Sequence, residues 1–88
     1  MKFIVLWRFK AMPTKERLAR VAKLMEQTEK GGAKYLGNYW TLGRYDGVSI
    51  VEGKDEKSAM KALLPWGEHV STETLVAVPH EEAAKLVE

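Results

Sequence analysis

Apolar and polar positions follow two different periods along this chain, and the switches between them mark the elements. Lys2 to Phe9 is rich in β-branched and aromatic residues and bounded by charge, the pattern of a buried strand. From Pro13 the period lengthens. Leu18, Val21, Ala22 and Met25 recur at helical spacing with Lys15, Glu16, Arg20, Lys23 and Glu26 between them, which predicts an amphipathic helix of about four turns. Pro13 suits a first helical turn, Thr14 a cap, and Gly31-Gly32 a stop. Lys34 to Leu42 reads as a second strand, Gly43-Arg44 as a turn and Tyr45 to Glu52 as a third strand. Asp55 caps a second helix that carries Ala59, Ala62 and Leu63 on one face and ends near Leu64, before Pro65. Val70 to Val78 is a fourth strand stopped by Pro79, and Ala83, Ala84 and Val87 predict a short tail helix.

The order strand–helix–strand–strand–helix–strand is the ferredoxin-like split arrangement. It predicts an α+β fold with an antiparallel four-stranded sheet, ordered 4-1-3-2, and both main helices on one face. Side chains alternate across a strand. In the first strand Ile4 and Leu6 oppose Phe3, Val5, Trp7 and Phe9, so neither parity is polar. Two helices cover one face only, and the other would leave Trp7 and several aliphatics in water. Covering about 500 Å² of such surface is worth on the order of 12 kcal/mol gross at ~25 cal/mol/Å², partly offset by the cost of association. The expectation is a homodimer packed sheet to sheet, or a higher assembly built from it. The competing arrangement folds the tail helix over the open face of a monomer.

Composition narrows the functional classes. The chain has 88 residues, a length that predicts one domain over 1–88. The net charge of +2 is too small and too evenly spread to argue for nucleic acid. With no cysteine, thiol nucleophiles, disulfides and cysteine-ligated metal sites are excluded. The apolar run from Phe3 to Trp7 is too short for a signal-peptide core or a membrane span, so the expected compartment is the cytoplasm, with no membrane partner. No cofactor and no metal site is expected.

Candidate chemistry is sparse. On the third strand Val48 and Ile50 are expected to meet the helices, which leaves Gly47 and Ser49 on the open side with room for a cavity. Trp7, Tyr45 and Glu73 would border it. Glu73 interrupts an otherwise apolar parity, where a carboxylate titrates high and serves as a base; an edge-strand residue facing water is the plainer reading. His69, between the second helix and the fourth strand, could move protons at a cavity mouth or simply be solvated. Trp7, Trp40 and Trp66 with the tyrosines could stack a flat ligand. Packing is the expectation for Trp7 and Trp66, and exposure for Trp40 near an edge. The candidate ligand-binding residues are therefore Trp7, Trp40, Tyr45 and Ser49, and the weak catalytic candidates His69 and Glu73.

The stretch Gly43-Arg44-Tyr45-Asp46-Gly47 has a folding role at every position. Gly43 frees a tight hairpin, Arg44 is exposed, Tyr45 starts a strand, Asp46 bonds neighbouring amides and Gly47 keeps a sheet face open. This stretch resembles the GYD-domain proteins and their short relatives in the dimeric α+β barrel group. So do Trp7, Phe9, Val48-Ser49-Ile50-Val51-Glu52, Trp66, Glu73-Thr74-Leu75 and Val78-Pro79. The resemblance spans nearly the whole chain and implies a ferredoxin-like subunit pairing through its sheet. It carries over no catalytic set. The wider group includes cofactor-free monooxygenases, isomerase-like enzymes, haem-binding proteins and ligand-sensing modules, and no histidine stands inside an expected strand here to ligate haem. The leading expectation is a homodimer that binds a small, partly apolar molecule between sheet and helices. The alternatives are a metal-free monooxygenase- or isomerase-like enzyme on an aromatic or quinone-like substrate, with His69 or Glu73 as base, and a structural or accessory oligomer.

Overall fold

The computed structural model describes residues 1–87. The elements in chain order are β1 (Lys2–Phe9), α1 (Lys15–Lys30), β2 (Lys34–Trp40), β3 (Gly47–Glu52), α2 (Glu56–Leu63), a 3-10 turn (Leu64–Glu68), β4 (Val70–Ala77), α3 (His80–Ala84) and a second 3-10 turn (Lys85–Val87). The sheet runs β2-β3-β1-β4 with every pairing antiparallel, the expected order read from the opposite edge. The helix starts are fixed by local chemistry. The Thr14 side chain accepts the Arg17 N–H and that of Asp55 accepts the Ser58 N–H, each satisfying one donor of a first turn. α1 stops where Gly32 takes φ +105°, a conformation a side chain would strain.

Both main helices lie on the face formed by Phe3, Val5, Trp7 and Phe9, since residues of α1 and α2 line common cavities with them. Register then assigns the other strands. Val51, Ser49 and Gly47 stand opposite Phe3, Val5 and Trp7 and share the helix face. Val48 and Ile50 stand opposite Leu6 and Ile4 on the bare face, the reverse of the expectation. Gly47 explains the reversal. A Cβ at Gly47 would overlap the Trp7 indole, so the missing side chain seats a large neighbour and opens no hole. Trp7 accordingly belongs to the helix side, not to the bare one.

The bare face still carries a continuous apolar centre of Ile4, Leu6, Val48, Ile50 and Leu75. One rim is charged, with Glu52 between Lys2 and Lys34 in the register, and Arg8 and Glu73 stand toward the other end. The tail helix does not seal this face: Leu75 stays 44% exposed, and Leu86 and Val87 are 84% and 86% exposed.

The interior of the single chain is thin. Phe3, Val5 and Val70 are its buried hydrophobic residues, and neither α1 nor α2 buries any residue. The radius of gyration is 14.0 Å, against about 12 Å for a compact domain of this length. Val76 and Val78, at the end of β4 and just after it, are more than half exposed.

Candidate functional site

Two cavities lie between the helices and the sheet. The first, about 80 Å³, is lined by Val5, Trp7, Phe9 and Ser49 from the sheet and by Leu18, Val21 and Met25 from α1. The second, about 270 Å³, lies between α1 and α2 over Phe3 and Val5, with Leu24, Gln27 and Lys61 among its walls. Each exceeds the space one water needs.

The first cavity mixes aliphatic and aromatic side chains with a few polar groups. Phe9 meets Trp7 and Trp40 edge to face, at ring-centroid distances of 5.1 and 5.2 Å. The Trp7 Nε1–H donates to Ser49 Oγ at 3.2 Å, and the Ser49 hydroxyl donates to Asn38 Oδ1 at 2.7 Å. Asn38 Nδ2 makes a weak 3.8 Å contact to Met25 Sδ on α1. Ser49 is 8% exposed, and this string satisfies its hydroxyl as donor and acceptor.

A second polar cluster stands between the cavities. The Trp66 Nε1–H donates to Thr28 Oγ1 at 3.2 Å, and the Thr28 hydroxyl donates to the Leu24 carbonyl at 2.8 Å. Tyr35 lines both cavities. Burial pushes its phenol above the ordinary value, a hydrogen bond with Thr28 offsets part of that, and the charge of Glu29 adds to it. At neutral pH Tyr35 is a neutral hydrogen-bonding group.

Of the four ligand-binding candidates, Trp7, Trp40 and Ser49 line the first cavity. Trp40 is 60% exposed and so stands at its mouth. Tyr45 lies across the sheet, where its hydroxyl donates to Glu73 and the Arg8 and Arg44 guanidinium groups lie 5.3 and 5.7 Å from its ring. The Glu73 hydrogen bond, more than its charge, raises the Tyr45 pKa, because a carboxylate stabilises the neutral phenol that donates to it. Glu73 and His69 line neither cavity. The His69 backbone carbonyl instead accepts from the Lys10 N–H at 3.0 Å.

Sequence reasoning missed Asn38. Strict alternation places Tyr35, Gly37 and Tyr39 on one side, with Asn38 and Trp40 on the other. The β2–β3 register shifts between Tyr35 and Gly37, so Asn38 and Trp40 come onto the helix face beside Tyr35. A glycine inside a strand was the available signal.

Among the described residues no cluster of three or more His, Asp or Glu side chains could hold a metal ion. None of their helices is long and apolar enough to cross a membrane. The GYD domain matches residues 3–87 of the chain. No curated protein matches it.

Proposed function

This chain belongs to the GYD-domain family, and we propose that it works as a homodimer whose subunits each bind a small, largely apolar molecule between helices and sheet. The observation that carries the binding reading is the pair of main helices that bury no residue and stand over two cavities. Protein interiors close to crystal density unless something holds them open. The lining of the first cavity is aliphatic and aromatic apart from a few polar groups, the usual make-up of a small-molecule site.

Pairing is supported by the bare face. It has an apolar centre and a charged rim, the anatomy of an interface. Four strands of this length outline about 19 Å by 23 Å, roughly 400 Å² per subunit. That is short of the 600 Å² or so per partner of a small stable interface. The exposed Leu86 and Val87 add apolar surface beyond the sheet, so the partner takes both the face and the C-terminal segment.

A poised base would favour the enzyme reading, but neither His69 nor Glu73 lines a cavity. Binding without turnover is therefore the better-supported function. Thermal unfolding with 1-decanol tests it. Decanol should raise Tm of the native chain, and Val21→Phe, whose larger side chain fills part of the first cavity, should blunt the rise. No shift in the native chain, or an equal shift in both proteins, would refute the cavity reading.

A further inference from the structure

We infer that the natural ligand class is an anionic amphiphile, an apolar chain ending in a carboxylate, with its head at Lys61 and its chain running through the second cavity toward the first. The inference rests on the proposed binding role and adds the chemistry of what is bound.

Charge is the first ground. Lys61 is the one charged side chain lining either cavity among the described residues, and no carboxylate lines them. Lys61 stands in the last turn of α2, is exposed to solvent and lines the second cavity. A lysine in such a place can lay its flexible stem on apolar surface and keep its ammonium in water. A cation at the rim of an apolar groove with no competing anion selects a negative head over a positive one.

Continuity is the second ground. Val5, Tyr35, Val51, Leu63 and Trp66 line both cavities, so the two spaces adjoin across these side chains. Four of them sit on strands or on α2. Trp66 sits in a short 3-10 turn followed by Gly67, and its indole is tied across the gap to Thr28 by one hydrogen bond. It is the member of the partition best able to swing. Moving it joins the two spaces into one channel that leads from Lys61 to Trp7.

The third ground is the lining. In the first cavity the Trp7 N–H, the Ser49 hydroxyl and the Asn38 oxygen satisfy one another, and what remains on offer is mainly aromatic and aliphatic surface. That suits a chain end and not a second polar head.

Titration of the chain's tryptophan fluorescence with decanoate, decanol and decylammonium, below their aggregation concentrations, tests this assignment. Decanoate should bind, and Lys61→Met should weaken it about threefold to fivefold, the reach of one solvent-exposed ion pair, while leaving decanol unchanged. Lys61→Glu should favour decylammonium. From hexanoate to decanoate affinity should rise roughly fourfold per methylene, as each added group is buried. Unchanged decanoate affinity in Lys61→Met overturns the head assignment, and a plateau already at hexanoate overturns the channel through both cavities. If neither decanoate nor decanol binds, the cavity reading fails and this inference with it. Binding of decanol with no preference between the two ionic probes sinks only the anionic head.

Discussion

Gly47 and Trp7 form one packing unit, and neither can be understood alone. A methyl at Gly47 would collide with the indole, so Gly47→Ala should destabilise the fold by about 1–3 kcal/mol, the cost of overpacking a filled site. Trp7→Leu in the same chain should recover part of the loss, which a double-mutant cycle in urea would measure as a non-additive term. Asp46 does more than brace its own turn. Its carboxylate accepts the Phe9 N–H at 2.8 Å and its backbone N–H donates to the Trp7 carbonyl at 2.9 Å, so it ties the connection after β2 to the end of β1. Asp46→Ala should cost about 1–2 kcal/mol through the orphaned amide. Tyr45 gives a readout of the other face. Its folded pKa lies above 10.0, so the contribution of the Glu73 contact persists through neutral pH and is lost as pH rises past that raised value. In Glu73→Gln the phenol should ionise at lower pH in an ultraviolet titration; an unchanged midpoint would show the two groups apart in solution. Asp55 has the opposite sign. The Ser58 backbone N–H holds its carboxyl below 3.8, so its capping of α2 is complete above that pH and lost as pH falls through the lowered value.

The elements were legible in the sequence because their signals are local. Thr14, Asp55, Gly32 and Pro65 each act on the nearest turn, and the strand and helix boundaries follow them within a few residues. What failed was non-local. The connection between β2 and β3 spans residues 41–46, not a tight pair at Gly43-Arg44, because Asp46 is drawn onto β1. The face of β3 was inverted because a small residue reads as a hole until the register sets Trp7 over it. Asn38 escaped notice because one bulge changes the parity of everything after it. At this scale the thin interior predicts a gradient of stability. Amide exchange should be slowest in β1 and β3, where Phe3, Val5, Gly47 and Ser49 are buried, and faster in α1, which buries none of its residues. Decanoate should slow exchange in α1 and α2.

For the whole molecule the question is what covers the side of the sheet opposite the helices. Ile4, Leu6, Val48, Ile50 and Leu75 stand on the face opposite α1 and α2, and the C-terminal segment leaves Leu86 and Val87 exposed. In the proposed homodimer a second copy would supply a surface of the same shape, related by a two-fold axis, that answers both features at once. The most direct measurement is sedimentation velocity across a hundredfold dilution, with Leu75→Lys run beside the native chain. The native protein should sediment at twice its 10.0 kDa mass, and Leu75→Lys, folded by circular dichroism, should sediment as a single chain. A native protein that remains folded at 10.0 kDa at every concentration would contradict the account.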